Sequence, residues 1–492
     1  MLAPWCMMAQ QNGGRDKYQR QRDFEDFKNR RTAEFQAFKD STNKAFARMM
    51  EQKWQDYQVF VGQRRPEKPE PVVLPVAPKD SAVREDTELP VNVVVPIQEE
   101  MPPTEEKQEN ESMERAPDNL QLYRNVDVDF YMEKMNFHIP KAYDNMVLGG
   151  VSEKAVAKFW ADLSNGDLDP CLEQCRKQKR EMHLNDWALY DMITSLATES
   201  FPEKYAEQTI FIVYLLNQLG LDAKVGRANN QLVVLLTAKT TLYAISYVRC
   251  NNETYYIFSR YPQRESDKSA INTYPTAFPI PTNALDMNID EPIHFTRKPS
   301  AVTYRSDFWG ETVPFQVNQN AIDFYNSYPQ VDVAIYANAE MSDELRTWAN
   351  RQIKPFLEDL DTNEAVNVLL YYVQTEFDYA TDLQQFGYEK PFFCEENFYY
   401  SKNDCEDRSI LFAYLVRNLV GLPIVLLDYP DHIATAVALQ DDGALKGDYY
   451  MIDGRKYYVC DPTYIGANIG ETMPQYRQVS ANVIKLKQQI IK

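Results

Sequence analysis

The sequence predicts an α+β protein. Three observations carry that reading. Apolar residues recur with helical spacing in two groups, near 152–219 and 342–420. Each group is followed by short β-rich runs, among them "LVVLL", "TYYIFS" and "HIATAVAL". Asp453-Gly454, between the last two such runs, is a strong two-residue hairpin signal.

The bulk properties bound the function. A chain of 492 residues is long enough for two or three domains with real cores. Its formal net charge of −20 disfavours nucleic acid and anionic membrane surfaces as partners. No run of 18 apolar residues exists, so no membrane span is expected. The seven cysteines are odd in number and contain no CxxC pair, and the four histidines are scattered. That composition predicts neither a disulfide scaffold nor a zinc site, and no motif implies a cofactor.

Residues 1–14 begin with "MLAPWCMMAQQ", apolar and then abruptly polar. The stretch resembles the end of a secretory signal cut after Ala9, although Met7 is large for the position three before the cut. The expectation is export, to a periplasmic or extracellular space.

Residues 15–62 read as a long amphipathic helix. Phe24, Phe35, Phe46 and Tyr57 are spaced by 11, as are Phe27, Phe38, Met49 and Phe60. Eleven residues are nearly three helical turns, so these side chains share one stripe. The stripe packs either on the body of the protein or on a second copy or partner. Residues 63–118 are Pro- and Glu-rich and read as an extended or disordered linker, within which "VVLPV" and "VNVVVP" are suited to docking as isolated strands.

Residues 119–310 form a first α+β unit. Helices are expected near 152–163, 168–181, 184–199 and 205–219, with Gly220 stopping the last, then strands at "LVVLL", "LYAISYV" and "TYYIFS". Residues 311–492 form a second unit. It begins with β-like connecting material, "DFYNSYPQVDVAIYA". Helices follow near 342–357, 363–378 and 405–420, and strands near 422–428, 433–440, 447–452 and 456–461.

The two units can be laid over one another. Gly220 then matches Gly421, Gln231 matches His432, and Ser259 matches Asp461. Cys405 falls opposite Lys204 or Tyr205. The first unit reads as a degenerate copy in which each reactive position has been replaced.

Those reactive positions are Cys405, His432 and Asp461. Asp404 is a good N-cap, so Cys405 sits in the first turn of a helix, where the helix dipole and unpaired N–H groups favour a thiolate. Glu406 and Asp407 add negative charge and oppose it, so a base is needed. His432 follows the turn "DYPD" and opens a strand. Asp461 ends a strand before Pro462, placed to accept from an imidazole and fix its tautomer.

Together these residues resemble the transglutaminase-like core, a papain-related thiol fold. The resemblance rests on Cys405, Asp407, Arg417, Gly421-Leu422-Pro423, His432 and Asp461-Pro462-Thr463, and covers about residues 340–480. It implies a cysteine-bearing helix packed on an antiparallel sheet. It also implies that Cys405 is the nucleophile, His432 its base and Asp461 the residue that orients His432. "HIAT" replaces the family's aromatic after the histidine, and "KNDC" replaces the small residues before the cysteine. The oxyanion side chain is accordingly left among Asn403, Tyr399 and Tyr400.

The other cysteines read as structural. Cys460 points away from Asp461 into the core, and Cys171 and Cys175 share a helical face. Cys394, in the loop before Cys405, reads as an exposed thiol or a pairing partner. The function expected is thiol-dependent acyl transfer on amide or peptide bonds. Hydrolysis by a protease or amidase leads, and protein crosslinking is the alternative. A non-catalytic scaffold that binds peptide or glycan is the competing class.

Overall fold

The structure is a computed structural model that describes residues 22, 30, 34, 36–65, 73–78, 85–97, 120–262, 270–309, 313–439 and 445–488. Among these residues the chain is mixed α+β, with eleven helices and mainly antiparallel sheets. Residues 1–14, and with them the signal-like stretch, lie outside the described residues. No helix among the described residues is long and apolar enough to cross a membrane.

Among the described residues up to 97, the chain is not one helix followed by a free linker. Helix α1 covers 36–50, and the chain then turns into strand β1 (Gln55–Phe60). The predicted aromatic stripe is therefore cut: Tyr57 and Phe60 belong to a strand, while Phe24, Phe27 and Phe35 lie outside the described residues. Helical spacing loses at 55–60 because the backbone there pairs on both sides within a sheet. Phe46 packs edge-on against Trp160, Tyr274 and Phe278, so α1 seats on the body of the protein. Phe38 stays 59% exposed.

The linker also supplies β2 (Thr87–Glu88) and β3 (Val91–Val95). "VNVVV" docks as a strand, as its composition predicts, whereas the "VVLPV" piece contributes one bridge, Val76 to Ile465.

The first unit opens with a hairpin, β4 (Tyr123–Phe130) and β5 (Glu133–Pro140). Four helices follow: α2 (Glu153–Ser164), α3 (Asp169–Glu181), α4 (Asp186–Ser200) and α5 (Tyr205–Gln218). Cys171 and Cys175 are buried together on α3. Gly220, at φ +86°, ends the α5 region in the left-handed conformation that glycine tolerates. Strands β6 (Ala223–Ala228), β7 (Gln231–Leu236), β8 (Tyr247–Cys250), β9 (Glu253–Ser259) and β10 (Ala270–Thr273) come next. Of "LYAISYV", only the end is strand, because Ala244 takes φ +58° and breaks the extended run. These strands and β1 close into a barrel in the order β1-β10-β6-β7-β9-β8.

A two-stranded piece, β11 (Tyr304–Ser306) and β12 (Val313–Phe315), connects to the second unit. The predicted β-like connection is instead helical: α6 (Gln319–Ser327) and α7 (Val333–Asn338). Asn318 caps α6 by accepting from Asn320 N, and Ala321, Ile322, Phe324 and Tyr325 bury one helical face. The apolar residues of the segment follow a helical period, which its β-like composition masks.

Then come α8 (Asp343–Gln352) and α9 (Thr362–Glu376). The long loop before Cys405 is built from β13 (Asp378–Tyr379), α10 (Asp382–Gln385), a tight turn at Cys394–Phe398 and β14 (Lys402–Asn403). Helix α11 (Cys405–Leu415) is buried along its whole length. It runs through a wider turn to Gly421, at φ +78°. Strands β15 (Ile424–Tyr429), β16 (His432–Val437), β17 (Asp448–Ile452), β18 (Arg455–Cys460) and β19 (Ala481–Lys485) complete the chain. The predicted hairpin joins β17 to β18, with both Asp453 and Gly454 at positive φ.

The second sheet has the order β2-β17-β18-β16-β15-β19-β3. Its two edge strands are separated in sequence only by Leu89 and Pro90. One stretch of chain thus pairs with β17 on one side and β19 on the other, and bends the sheet into a half-barrel. Leu89 fills the interior with Tyr429, Tyr450, Val459 and Met473.

The two units share one strand order. In each, five sequential strands take the same places, and the N-terminal segment supplies the closing strand. Gln231 opens β7 opposite Ala228, as His432 opens β16 opposite Tyr429. Ser259 ends β9, and Asp461 directly follows β18.

Candidate active site

Helix α11 begins where it does because Asp404 caps it. The Asp404 carboxylate accepts from Glu406 N at 3.2 Å and from Asp407 N at 3.3 Å. Asp407 returns the contact by accepting from Asp404 N, and also accepts from Phe392 N. Cys405 is therefore fixed in the first turn. Four residues on, on the same helical face, the Ser409 hydroxyl donates to Ile433 O at 3.0 Å. The thiol-bearing end of α11 is thereby docked toward the end of β16 that carries His432.

Two buried arginines hold the helix in place. Arg408 donates to Asn403 Oδ1 and to the carbonyls of Gln374 and Phe377. Arg417 donates to the carbonyls of Ala413, Lys487 and Ala337. Burial, only partly offset by neighbouring acids, lowers both guanidinium pKa values to about 10.

His432 Nε2 lies 2.9 Å from Asp461 Oδ2. The Thr463 hydroxyl donates to Asp461 Oδ1 at 2.7 Å, and Thr463 N donates to the same oxygen at 3.0 Å. Burial opposes ionisation of Asp461, but the His432 charge and the hydrogen bonds from His432 and Thr463 outweigh it and hold the carboxyl below its ordinary value. An ionised carboxylate only accepts, so Nε2 carries the hydrogen and Nδ1 is left as the basic nitrogen. Gln374 of α9 supports the strand end from behind. Its amide donates to Asp461 O and Ala467 O and accepts from Gly466 N.

Tyr476 joins the three sequence-predicted residues. Its ring stacks on His432 at 5.1 Å between centroids and 16° between planes. Burial first, then Asp431, Cys405 and Asp461, pushes its hydroxyl pKa far up, so the phenol stays neutral beside the thiol.

Sequence reasoning left Glu406 as an uncompensated acid beside the nucleophile. The structure supplies its partner in Arg65, whose guanidinium donates to both carboxylate oxygens at 2.7 and 3.2 Å. Arg65 stands in the Pro-rich segment, 341 positions away, and nothing in the sequence links the two. Asp382, Glu389 and Glu406 converge, as do Asp382, Asp404 and Asp407, with ligand oxygens within 4.8 Å of one another in each group. An all-oxygen set of this kind is what a hard cation would use. Its charge is relieved here by Arg65 and by a proton on Asp382, whose pKa burial and then the Asp407 and Glu406 charges raise to about 10.

Two of the three oxyanion candidates have their polar groups committed to other tasks. Asn403 donates to Asn397 Oδ1 and accepts from Arg408, and Tyr400 donates to Asn326. Tyr399 packs edge-on against Tyr400. Cys394 is buried and unpaired with any other cysteine rather than an exposed loop thiol, and Cys460 is buried in the core as expected.

No family model, curated protein or solved structure matches this chain.

Proposed function

We propose that the chain is a thiol enzyme with a transglutaminase-like, papain-type core that transfers acyl groups from amide or peptide bonds. The single observation that carries this is the buried His432–Asp461 pair at 2.9 Å, set at the end of the strand against which the Cys405 turn docks. Cys405 Sγ, as thiolate, attacks the carbonyl carbon while His432 holds the thiol proton. His432 then gives that proton to the leaving amine, and a thioester remains on Cys405. Water, activated by His432, releases the acid and restores the thiol. Hydrolysis by a protease or amidase is the leading outcome, and an amine in place of water gives crosslinking. An exported site of action is part of the same proposal, resting on the N-terminal stretch of the sequence.

The first unit then serves as a non-catalytic copy, with Tyr205, Gln231 and Ser259 at the corresponding positions. A second reading, a scaffold that binds peptide or glycan, is favoured by one observation: Cys405 is only 1% exposed. The experiment that separates them is the pH profile of Cys405 alkylation with and without His432→Ala. An enzyme gives a thiolate whose profile depends on His432. A thiol that titrates like free cysteine in both proteins returns the scaffold reading.

A further inference from the structure

Cys405, His432 and Asp461 are 1%, 1% and 2% exposed. A carbonyl therefore reaches the thiol only after something moves. Between the two units lies a cleft of about 610 Å³ whose walls include Tyr243, Ala334, Tyr429, Pro430, Ile433 and Arg65. Tyr429, Pro430 and Ile433 flank His432 in sequence. Arg65 is bound to Glu406, the residue after Cys405. The cleft thus borders the sequence neighbours of the base, and Arg65 in its wall reaches back to Glu406 beside the nucleophile.

We propose that this ion pair is a gate between the cleft and the Cys405 thiol, and that an extended peptide entering by the cleft reaches the thiol when the pair opens. The proposal rests on the acyl-transfer reading and adds the route and the latch. The pair suits a latch because its two halves come from segments far apart in the chain. Glu406 lies in the first turn of α11. Arg65 belongs to the N-terminal segment, which is tied to the first unit by Ala244 N donating to Gln63 O at 2.6 Å. Gly62, just before, lies flush against the Ile245 backbone, where an added Cβ would come within 2.4 Å. Farther along, Ala77 N and Pro75 O both bond Ile465 at 2.9 Å, four residues past Asp461. The N-terminal segment therefore meets the second unit at two points, Glu406 and Ile465.

The chemistry of the pair also names its ligand. Arg65 and Glu406 are 8% and 2% exposed, so neither can be left without a partner. A peptide backbone offers what each needs, a carbonyl for the guanidinium and an N–H for the carboxylate. Such a substrate can replace the pair without stranding a charge.

Three proteins test the gate: the wild type, Arg65→Leu/Glu406→Leu, which removes both charges together, and Arg65→Lys, which keeps the charge but loses the two-pronged contact. Iodoacetamide labelling of Cys405 and of Cys460 is followed by mass spectrometry on each full-length chain. Cys405 should be labelled at least about tenfold faster in the double variant and to an intermediate degree in Arg65→Lys, with Cys460 unchanged. An unchanged Cys405 rate overturns the gate, as does a rise shared by Cys460, which reports general loosening. In the open background, Ala334→Trp should slow labelling by fluorescein maleimide at least about fivefold and spare iodoacetamide. Equal effects on both reagents overturn the cleft as the route. If labelling is fast in the open variant but its pH profile is indifferent to His432→Ala, the gate stands and the acyl-transfer reading falls.

Discussion

His432 Nε2 and Asp461 Oδ2 are 2.9 Å apart, and both hydrogen bonds from Thr463 fall on the other carboxylate oxygen. The carboxylate is thus held from one side and spends its free oxygen on the imidazole. Asp461→Asn keeps the shape but presents either an amide N–H to Nε2 or a neutral oxygen. The first stabilises the wrong tautomer, and the second fails to stabilise an imidazolium. Amide hydrolysis should fall by about 10²- to 10⁴-fold in kcat with little change in KM. A variant that keeps a tenth or more of wild-type turnover would falsify the role assigned to Asp461.

Asp382 sets a different pH dependence. Burial, then Asp407 and Glu406, raises its carboxyl to about 10, far above the roughly 3.9 of an unfolded chain. Between those values the folded state holds a proton that the unfolded state has lost. Stability therefore falls as pH rises from about 4 toward about 10, and levels off above that. Asp382→Asn mimics the protonated form and can still accept from Lys390 N, as Asp382 does. Urea unfolding should show the variant gaining roughly 1–3 kcal/mol over wild type at pH 8 and little at pH 4. An equal difference at both pH values would assign the effect to packing instead.

Gln374 should matter more than its distance from the thiol suggests. Its side chain satisfies three backbone groups of the segment that carries Asp461, and it is 2% exposed. Gln374→Leu leaves the Asp461 and Ala467 carbonyls buried without that partner, at a cost of about 2–3 kcal/mol or more. Turnover should fall too, because Asp461 is positioned by this segment. Hydrogen exchange at Gly466 reads the local effect. Wild-type protection there in the variant would contradict it.

The half-barrel depends on one short piece of the segment read as a linker. Leu89 is 3% exposed inside the sheet, between the residues that pair with β17 and those that pair with β19. Leu89→Ala should lower unfolding free energy by about 2–5 kcal/mol. The loss should appear as faster amide exchange at both β17 and β19. Loosening at only one edge would mean that the two are not held by a common strand.

Many helices and strands of both units were legible because their apolar periods agree with the burial they reach: α5, α9, β15 and β18 fall within one or two residues of the pattern. Cys405, His432 and Asp461 were singled out from residue type and order, and the structure pairs the last two at 2.9 Å. The errors lie where long-range pairing overrides local pattern. Tyr57 and Phe60 fit a helical stripe but sit in a strand that closes a barrel. Phe324 and Tyr325 were read as part of a β-like connection although Asn318 caps a helix there. Arg65 could not be found at all. An ion pair across 341 positions leaves no trace in spacing, and a Pro-rich setting argues against a buried residue.

The shared strand order makes one last prediction possible. Val233 pairs with Ser259 across β7 and β9, which sets Gln231 and Ser259 diagonally across two neighbouring strands. In the second unit Thr435 pairs with Cys460, so His432 and Asp461 occupy the same diagonal. If backbone register alone brings that histidine and aspartate together, the contact can be transplanted. Gln231→His with Ser259→Asp should form an imidazole–carboxylate pair in the first unit. Its imidazole pKa, followed by NMR, should rise by about one unit relative to Gln231→His alone, since a carboxylate within hydrogen-bond reach favours the protonated ring. Equal imidazole pKa values in the single and double variants would show that the pair in the second unit depends on what surrounds it, with Thr463, Gln374 and the Tyr476 ring as the first groups to transplant next.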